Sequence, residues 1–259
     1  MAFNLNSISK SLGYRAPRIL IYGIAGLGKT TFGADSPTPI FICTEDGLGG
    51  LEVDTFPLAK SYQDVIDAIA VLYTSDHHYK TVVLDSLDHL EPLIWRHLCE
   101  VYVGPKGERY SSIEEFGYGK GYIEALDLWR EILNGLDALR NEKDMAIILI
   151  GHTEVKRFES PTSASYDRYQ IKLHKRASEL VQESVDCVLF ADYQTVIEKE
   201  EKGFGATKTR GISTGKRYLF TQGAPGYLAK NRYDLPKQLP LSWQAFSDAL
   251  NNNKNKKGH

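Results

Sequence analysis

Short, wholly apolar runs alternate along the chain with longer stretches in which apolar residues recur every three or four positions. Arg18–Gly23 (RILIYG), Pro39–Thr44 (PIFICT), Thr81–Leu84 (TVVL), Met145–Ile150 (MAIILI) and Asp186–Phe190 are of the first kind. Their length and β-branched content predict buried strands. Ser61–Tyr73 (Val65, Ile66, Ile69, Leu72), Ser86–Val101 (Leu87, Leu90, Ile94, Leu98) and Gly119–Arg140 (Tyr122, Leu126, Trp129, Leu133, Leu136) carry helical spacing. Lys29–Ala34 predicts a short helix stopped by Ser36-Pro37, Arg176–Gln182 another, and Ser242–Leu250 a terminal helix capped by Ser242. Tyr102–Gly117 and the polar stretch Gly151–Lys172 read as loops, the second mobile. Tyr193–Glu198, Lys216–Thr221 and Gly226–Lys230 read as hairpin-linked strands. Strands apolar throughout and alternating with helices predict an α/β fold. Its sheet is mostly parallel with helices on both faces, and the later strands form an antiparallel extension at one edge.

Composition narrows the class. With 42% apolar residues in 259, the chain can fill the core of one large domain, expected over residues 15–250. Residues 1–14 are expected as an N-terminal arm and 251–259 (NNNKNKKGH) as a disordered basic tail. No apolar run approaches the ~20 residues that cross a bilayer, and Met1–Tyr14 has no apolar signal core. Cys43, Cys99 and Cys187 lie far apart, which excludes a disulfide framework or zinc ribbon and leads us to expect a reducing, cytoplasmic compartment. The formal net charge of −2 hides a division. Residues 202–259 hold eleven Lys and Arg against two acids, whereas residues 1–201 hold twenty against thirty-one. Such a split suits a polyanion-facing surface, or subunits meeting head to tail; a solvated basic face is the bland alternative.

Gly23-Ile24-Ala25-Gly26-Leu27-Gly28-Lys29-Thr30 fits G-x-x-x-x-G-K-[ST] between a predicted strand and a predicted helix, the context this phosphate loop requires. Glycines let backbone N–H groups curl around phosphate oxygens, and the helix N-terminus adds partial positive charge. Lys29 can reach the β- and γ-phosphates, and the Thr30 hydroxyl can coordinate Mg²⁺. Thr31 completes the loop residues read as nucleotide-binding.

Three polar residues end predicted strands, where parallel sheets place their ligand crevice. Asp85 follows Thr81–Leu84 and suits Mg²⁺, although Asp85 or Ser86 could instead cap the next helix. Glu45 follows PIFICT and suits orientation of the water that attacks ATP, with Asp46 as competitor. His152 follows MAIILI-Gly151 and can contact the γ-phosphate. The next segment carries Lys156, Arg157, Phe158, Arg168, Tyr169, Lys172 and Lys175. Cations interleaved with aromatics suit single-stranded DNA, while a plain surface loop is the alternative. His77-His78 reads as a solvated turn. Tyr102–Gly121 reads either as a second DNA loop or as an ordinary one.

Together these elements resemble the RecA-like P-loop NTPase core, and most of all the small bacteriophage RecA-like ATPases regarded as single-strand annealing proteins. The resemblance rests on the phosphate loop, FICTE ending at Glu45, Gly151-His152-Thr153, TEDGLGGL, and Ala229-Lys230-Asn231-Arg232 before Pro236. It implies ATP and Mg²⁺ dependence, a single-stranded DNA partner, and rings or filaments with ATP between protomers. It also implies that Lys230 and Arg232 reach a neighbour's nucleotide. Arginine at the third position and histidine as sensor depart from the family pattern. A phage single-strand-binding partner and a host-cytoplasmic location follow only if the chain is phage-encoded. Two alternatives stay open: a phosphotransferase acting on a nucleotide or small metabolite, and a nucleotide-switched module of the helicase-loader kind.

Overall fold

The computed structural model describes residues 4, 8, 15–159, 164–202 and 206–257; side chains are described outside 195–213 and 254–257. The N-terminal arm therefore lies almost wholly outside the described residues, as do the side chains of Lys202, Lys208 and Arg210 from the basic segment.

The five apolar runs form strands. β1 (Arg18–Gly23), β2 (Pro39–Cys43), β4 (Thr81–Asp85), β5 (Ala146–Phe158) and β7 (Cys187–Lys202) lie in the order β7-β1-β5-β4-β2, all parallel, and a two-residue strand, β3 (Asp54–Thr55), extends the β2 edge. Beyond β7 the sheet turns antiparallel through β8 (Ala206–Phe220) and β10 (Gln238–Pro240), while β9 (Lys230–Asn231) pairs with β7. This is the expected mostly parallel sheet with an antiparallel extension.

Alternate strand positions serve two cores, as a doubly covered sheet demands. Leu20, Ile42, Leu84 and Leu149 face α2 (Tyr62–Thr74), α3 (Leu87–Val101), α4 (Lys120–Lys143) and α5 (Lys175–Ser184). Ile21, Phe41, Val83 and Ile148 face Phe32 of α1 (Lys29–Ala34) and Phe246 of α6 (Trp243–Lys257). Local signals set the helix ends. Ser61 and Asp64 form a reciprocal capping box at the start of α2, and the Ser242 hydroxyl accepts the Ala245 N–H at 3.1 Å, as its sequence position predicts.

The structure differs from expectation in three places. Gly226–Lys230 is not a strand: Ala224 and Tyr227 close a tight turn, and only Lys230 falls in a strand, as the first residue of β9. The stretch from Gly151 to Lys172 is not an open loop: β5 runs through to Phe158 and pairs antiparallel with β6 (Tyr166–Ile171). Its polar residues alternate because a two-stranded ribbon buries little on either face. The terminal helix does not stop at Leu250 but continues to Lys257, so residues 251–257 are helical where a disordered tail was expected. Lys and Asn are tolerable helix residues once the preceding turns are packed. No described helix is long and apolar enough to cross a membrane. Cys43 and Cys187 are buried and Cys99 half-buried, all three free.

Candidate active site

The parallel strands bring their carboxyl ends together around a cavity of about 330 Å³. The phosphate loop lines it with Gly26, Gly28, Lys29, Thr30 and Thr31, and Glu45, Asp85 and His152 close the other side. Gly26 and Gly28 have φ of 73° and 105°, a backbone that favours glycine, and a Cβ on Gly26 would point into open space. A Cβ on Gly23 would run into the Ala191 carbonyl of the neighbouring strand.

Lys29 is buried and donates to the carbonyls of Gly23 and Ile24 at 3.1 and 2.9 Å, folding back along its own loop. Burial lowers its pKa, and the carboxylates of Asp85, Asp88 and Glu45 oppose that shift. The Thr30 hydroxyl donates to Asp85 Oδ2 at 2.8 Å. Burial raises the Asp85 carboxyl, while Thr30 and Lys29 draw it down. Thr30 and Asp85 thus offer two adjacent hard oxygens beside a positively charged loop, the donor set a nucleotide-bound magnesium ion takes, so the residues present fit that group. Asp85 is committed to Thr30. Ser86 occupies the N-cap position of α3 but makes no side-chain cap bond, its hydroxyl lying 2.9 Å from His89 Nδ1.

Glu45 sits two residues past β2 and lines the cavity, whereas Asp46 is exposed and does not. Thr44 anchors this turn: its N–H donates to the Asp85 carbonyl at 2.8 Å and its hydroxyl to the Ser86 carbonyl at 2.6 Å. His152 lies opposite, held by Asp88 in the first turn of α3. Asp88 accepts the His152 backbone N–H at 3.0 Å and faces its Nδ1 with both oxygens, at 3.1 and 3.0 Å. Burial would raise the Asp88 carboxyl, but these bonds outweigh it and hold the pKa at about 2.

The profile of the AAA domain matches residues 15–233, from before β1 to just past β9, and so takes in every residue of this cavity. The chain belongs to the AAA domain family. With its phosphate loop, that makes it a nucleotide-binding P-loop ATPase. No curated protein matches it. Among solved structures, one titled "Crystal structure of the RadB recombinase" has 13% identity and a TM-score of 0.48, covering 89% of this chain and 90% of that one. At that distance the likeness bears on neither activity nor partners.

In this AAA domain the remaining expected residues are scattered. Lys230 donates to the carbonyls of Gln182, Glu183 and Val185 at 2.7, 3.2 and 2.7 Å, closing the carboxyl end of α5. Arg232 lies 3.6 Å from Asp186. Both sit beside the start of β7, which pairs with Ile19 and Leu20, at the opposite end of β1 from Gly23. The chain's own phosphate loop is out of their reach.

Lys156, Arg157, Phe158 and Arg168 lie on the β5–β6 ribbon. Lys156 faces Arg168, and Phe158 faces Tyr166, across the register. Two cations and two rings therefore share one face, with the Arg168 guanidinium 5.2 Å over the Phe158 ring. Tyr169 instead stacks on Phe190 at 5.3 Å and belongs to the aromatic cluster against the sheet. Lys172 approaches Asp88 at 4.0 Å, and Lys175 is exposed at the start of α5, 4.0 Å from Glu179.

Three residues at the site carry no signal that sequence reading had used. Asp88 and His89 occupy the first turn of a helix that begins at a ligand-facing strand end, and that position is the signal that could have found them. Arg217, on β8, donates to the Leu27 carbonyl of the phosphate loop at 2.9 Å and lies beside Gly28. Nothing local in its sequence marks it.

The other candidates have structural uses. His77 Nε2 lies 2.8 Å from the Leu72 carbonyl near the end of α2. Tyr102, Tyr110 and Phe116 pack together in the segment read as a possible second DNA loop.

Proposed function

We propose that the protein is a magnesium-dependent ATPase that binds single-stranded DNA and couples the two in annealing or strand exchange. The observation that carries this reading is the continuity of β5. One strand presents His152 to the phosphate cavity and then runs without a break into the ribbon bearing Lys156, Phe158 and, across the register, Arg168. Nucleotide and polyanion would thus be sensed by two ends of a single rigid element.

Thr30 and Asp85 would hold magnesium, which when bound neutralises charge on the phosphates. Lys29, released from its loop carbonyls, supplies a further cation to the transferring phosphoryl group. Glu45 orients the attacking water and receives its proton. His152, fixed by Asp88, lines the γ-phosphate side of the cavity and would register the phosphate by contact. The ribbon meets backbone phosphates with Lys156 and Arg168 and offers Phe158 and Tyr166 for base stacking, while Arg157 lies on its other face. Assembly into rings or filaments belongs to the same reading and is supported by the charge division between residues 1–201 and 202–259. Lys230 and Arg232, out of reach of the chain's own phosphate loop, would enter this reading only by meeting a neighbouring protomer's nucleotide once released from their contacts within the chain.

The test combines turnover with anisotropy of a labelled single strand of roughly 30 nucleotides, titrated at several salt concentrations with and without Mg²⁺-ATP. Binding strengthened by ATP, with a steep salt slope, is the expected result. Glu45→Gln should lower kcat by about 100-fold or more while nucleotide affinity survives. No DNA binding at about 50 mM salt in either condition would overturn the DNA half and turn attention to phosphoryl acceptors.

A further inference from the structure

We propose that Glu45, His89 and His152 form a binding site for a zinc-type divalent transition-metal ion, separate from the magnesium position at Thr30 and Asp85. Each residue offers one ligand atom, and the three atoms lie within 4.8 Å of one another. They come from three elements: the turn after β2, the first turn of α3, and β5. His89 Nδ1 is 3.2 Å from one Glu45 oxygen. The two imidazoles stand perpendicular with centroids 6.2 Å apart, so they converge on the carboxylate without stacking.

Hydrogen bonding explains only part of this convergence. His89 is within bonding distance of Glu45. His152 is not: at 3.9 Å the contact is too long, and its Nδ1 faces Asp88 at 3.0 Å. The Asp88 bond puts the proton on Nδ1 and leaves Nε2 with its lone pair. A carboxylate bonded to one ring nitrogen of a histidine whose other nitrogen is free is the usual outer-shell arrangement of a metal-binding imidazole. The backbone N–H of His152 bonds the same Asp88, so ring and main chain are fixed together.

The ligand set selects the ion. Two imidazoles and one carboxylate suit zinc or cobalt, whereas magnesium and calcium prefer oxygen alone. Three protein ligands leave coordination positions open, and Glu45 and His152 face the phosphate cavity. Water or a phosphate oxygen would fill the vacant position. With metal–ligand bonds of ~2.0–2.2 Å, tetrahedral ligand atoms sit about 3.4 Å apart, so atoms now as much as 4.8 Å apart need to close by up to about 1.4 Å. His89, half exposed on the first turn of its helix, has the freedom to supply that movement.

The site shares Glu45 and His152 with the ATPase reading, but its test needs no turnover, so either can fail alone. The full chain, stripped with a chelator and kept free of nucleotide, is titrated with Co²⁺ while visible d–d absorption is recorded. Zn²⁺ is then added as competitor. A saturable band at one equivalent that zinc bleaches is expected. It should disappear in His89→Ala, survive in Thr30→Ala, and need about 10- to 100-fold more cobalt in Asp88→Asn. Circular dichroism of each variant separates lost ligation from lost fold. Absence of a band, or a band unchanged in His89→Ala, would overturn the proposal.

Discussion

At the scale of single residues, the two buried carboxylates of α3 behave oppositely because their partners differ. Asp88 meets an imidazole and a backbone N–H, whereas among the described residues Glu91 accepts from the His174 N–H alone, at 2.9 and 3.1 Å from its two oxygens. Burial therefore dominates at Glu91 and raises its pKa to about 7. A folded-state pKa above the unfolded value, ~4.3, means the contribution is fully favourable below that value and is lost as pH rises through about 7. Glu91→Gln, which keeps an acceptor for His174 without the charge, should match the parent at about pH 4, below the unfolded value, and exceed it by about 1–3 kcal/mol at pH 8. Urea midpoints at the two pH values check this. A difference that does not grow with pH would show that the charge is not costly there. Arg217 offers a second test at this scale. Its guanidinium braces the Leu27 carbonyl beside Gly28, so Arg217→Ala should raise the Kd for ATP by about 5- to 30-fold, the loss of one charge-assisted bond worth ~1–2 kcal/mol. Equilibrium titration with a fluorescent nucleotide reads it. Unchanged affinity would make the arginine a strut for β8 alone.

At the scale of elements, what the sequence reveals depends on how the signal is encoded. Buried parallel strands are apolar throughout, and their carboxyl ends converge, so Lys29, Thr30, Glu45, Asp85 and His152 could be placed in one crevice from spacing alone. Strands of two or three residues such as Asp54–Thr55, Lys230–Asn231 and Gln238–Pro240 have no period to detect, and their bounds were not legible. The β5–β6 ribbon was legible in principle, since two segments of alternating character lie close together in the sequence. Its polarity disguised it as a loop. That the cations sit on paired strands sharpens the expectation for DNA. Lys156 and Arg168 share a face, so Lys156→Glu with Arg168→Glu should weaken binding of single strands and flatten the salt dependence by about 1–2 in the log–log slope. Asp167 and Arg157 occupy the other face, and Asp167→Lys should leave the slope within experimental error of the parent. Equal effects from the two faces would mean that net charge, not the ribbon's geometry, drives binding.

At the scale of the whole molecule, Asp186 joins segments distant in sequence. Its carboxylate lies 3.0 Å from Arg18 at the start of β1 and 3.2 Å from Arg140 near the end of α4, and it accepts the Tyr233 hydroxyl at 2.9 Å. Arg18 also bridges to Asp137 at 3.0 Å. The cluster closes the end of the sheet opposite the phosphate loop and fastens the β9 region to the parallel core. Burial opposes the charge on Asp186, but the Arg18 hydrogen bonds prevail and hold its pKa below the ordinary carboxylate range. The contribution is therefore present above the unfolded value, ~3.9, and lost only as pH falls below it. Removing one member of a buried network leaves its partners uncompensated, a larger effect than the net worth of the pair. Asp186→Asn should cost about 3–5 kcal/mol at pH 7, lowering Tm by roughly 6–20 °C for a domain of this size. Arg232→Ala removes only the outer, half-exposed cation at 3.6 Å and should cost less than about 1 kcal/mol. Calorimetry on the two variants decides the matter. A near-equal cost would place Arg232 inside the network and Asp186 at no special position, whereas the predicted gap identifies one carboxylate as the tie between β1, α4 and the segment that joins β9 to β10.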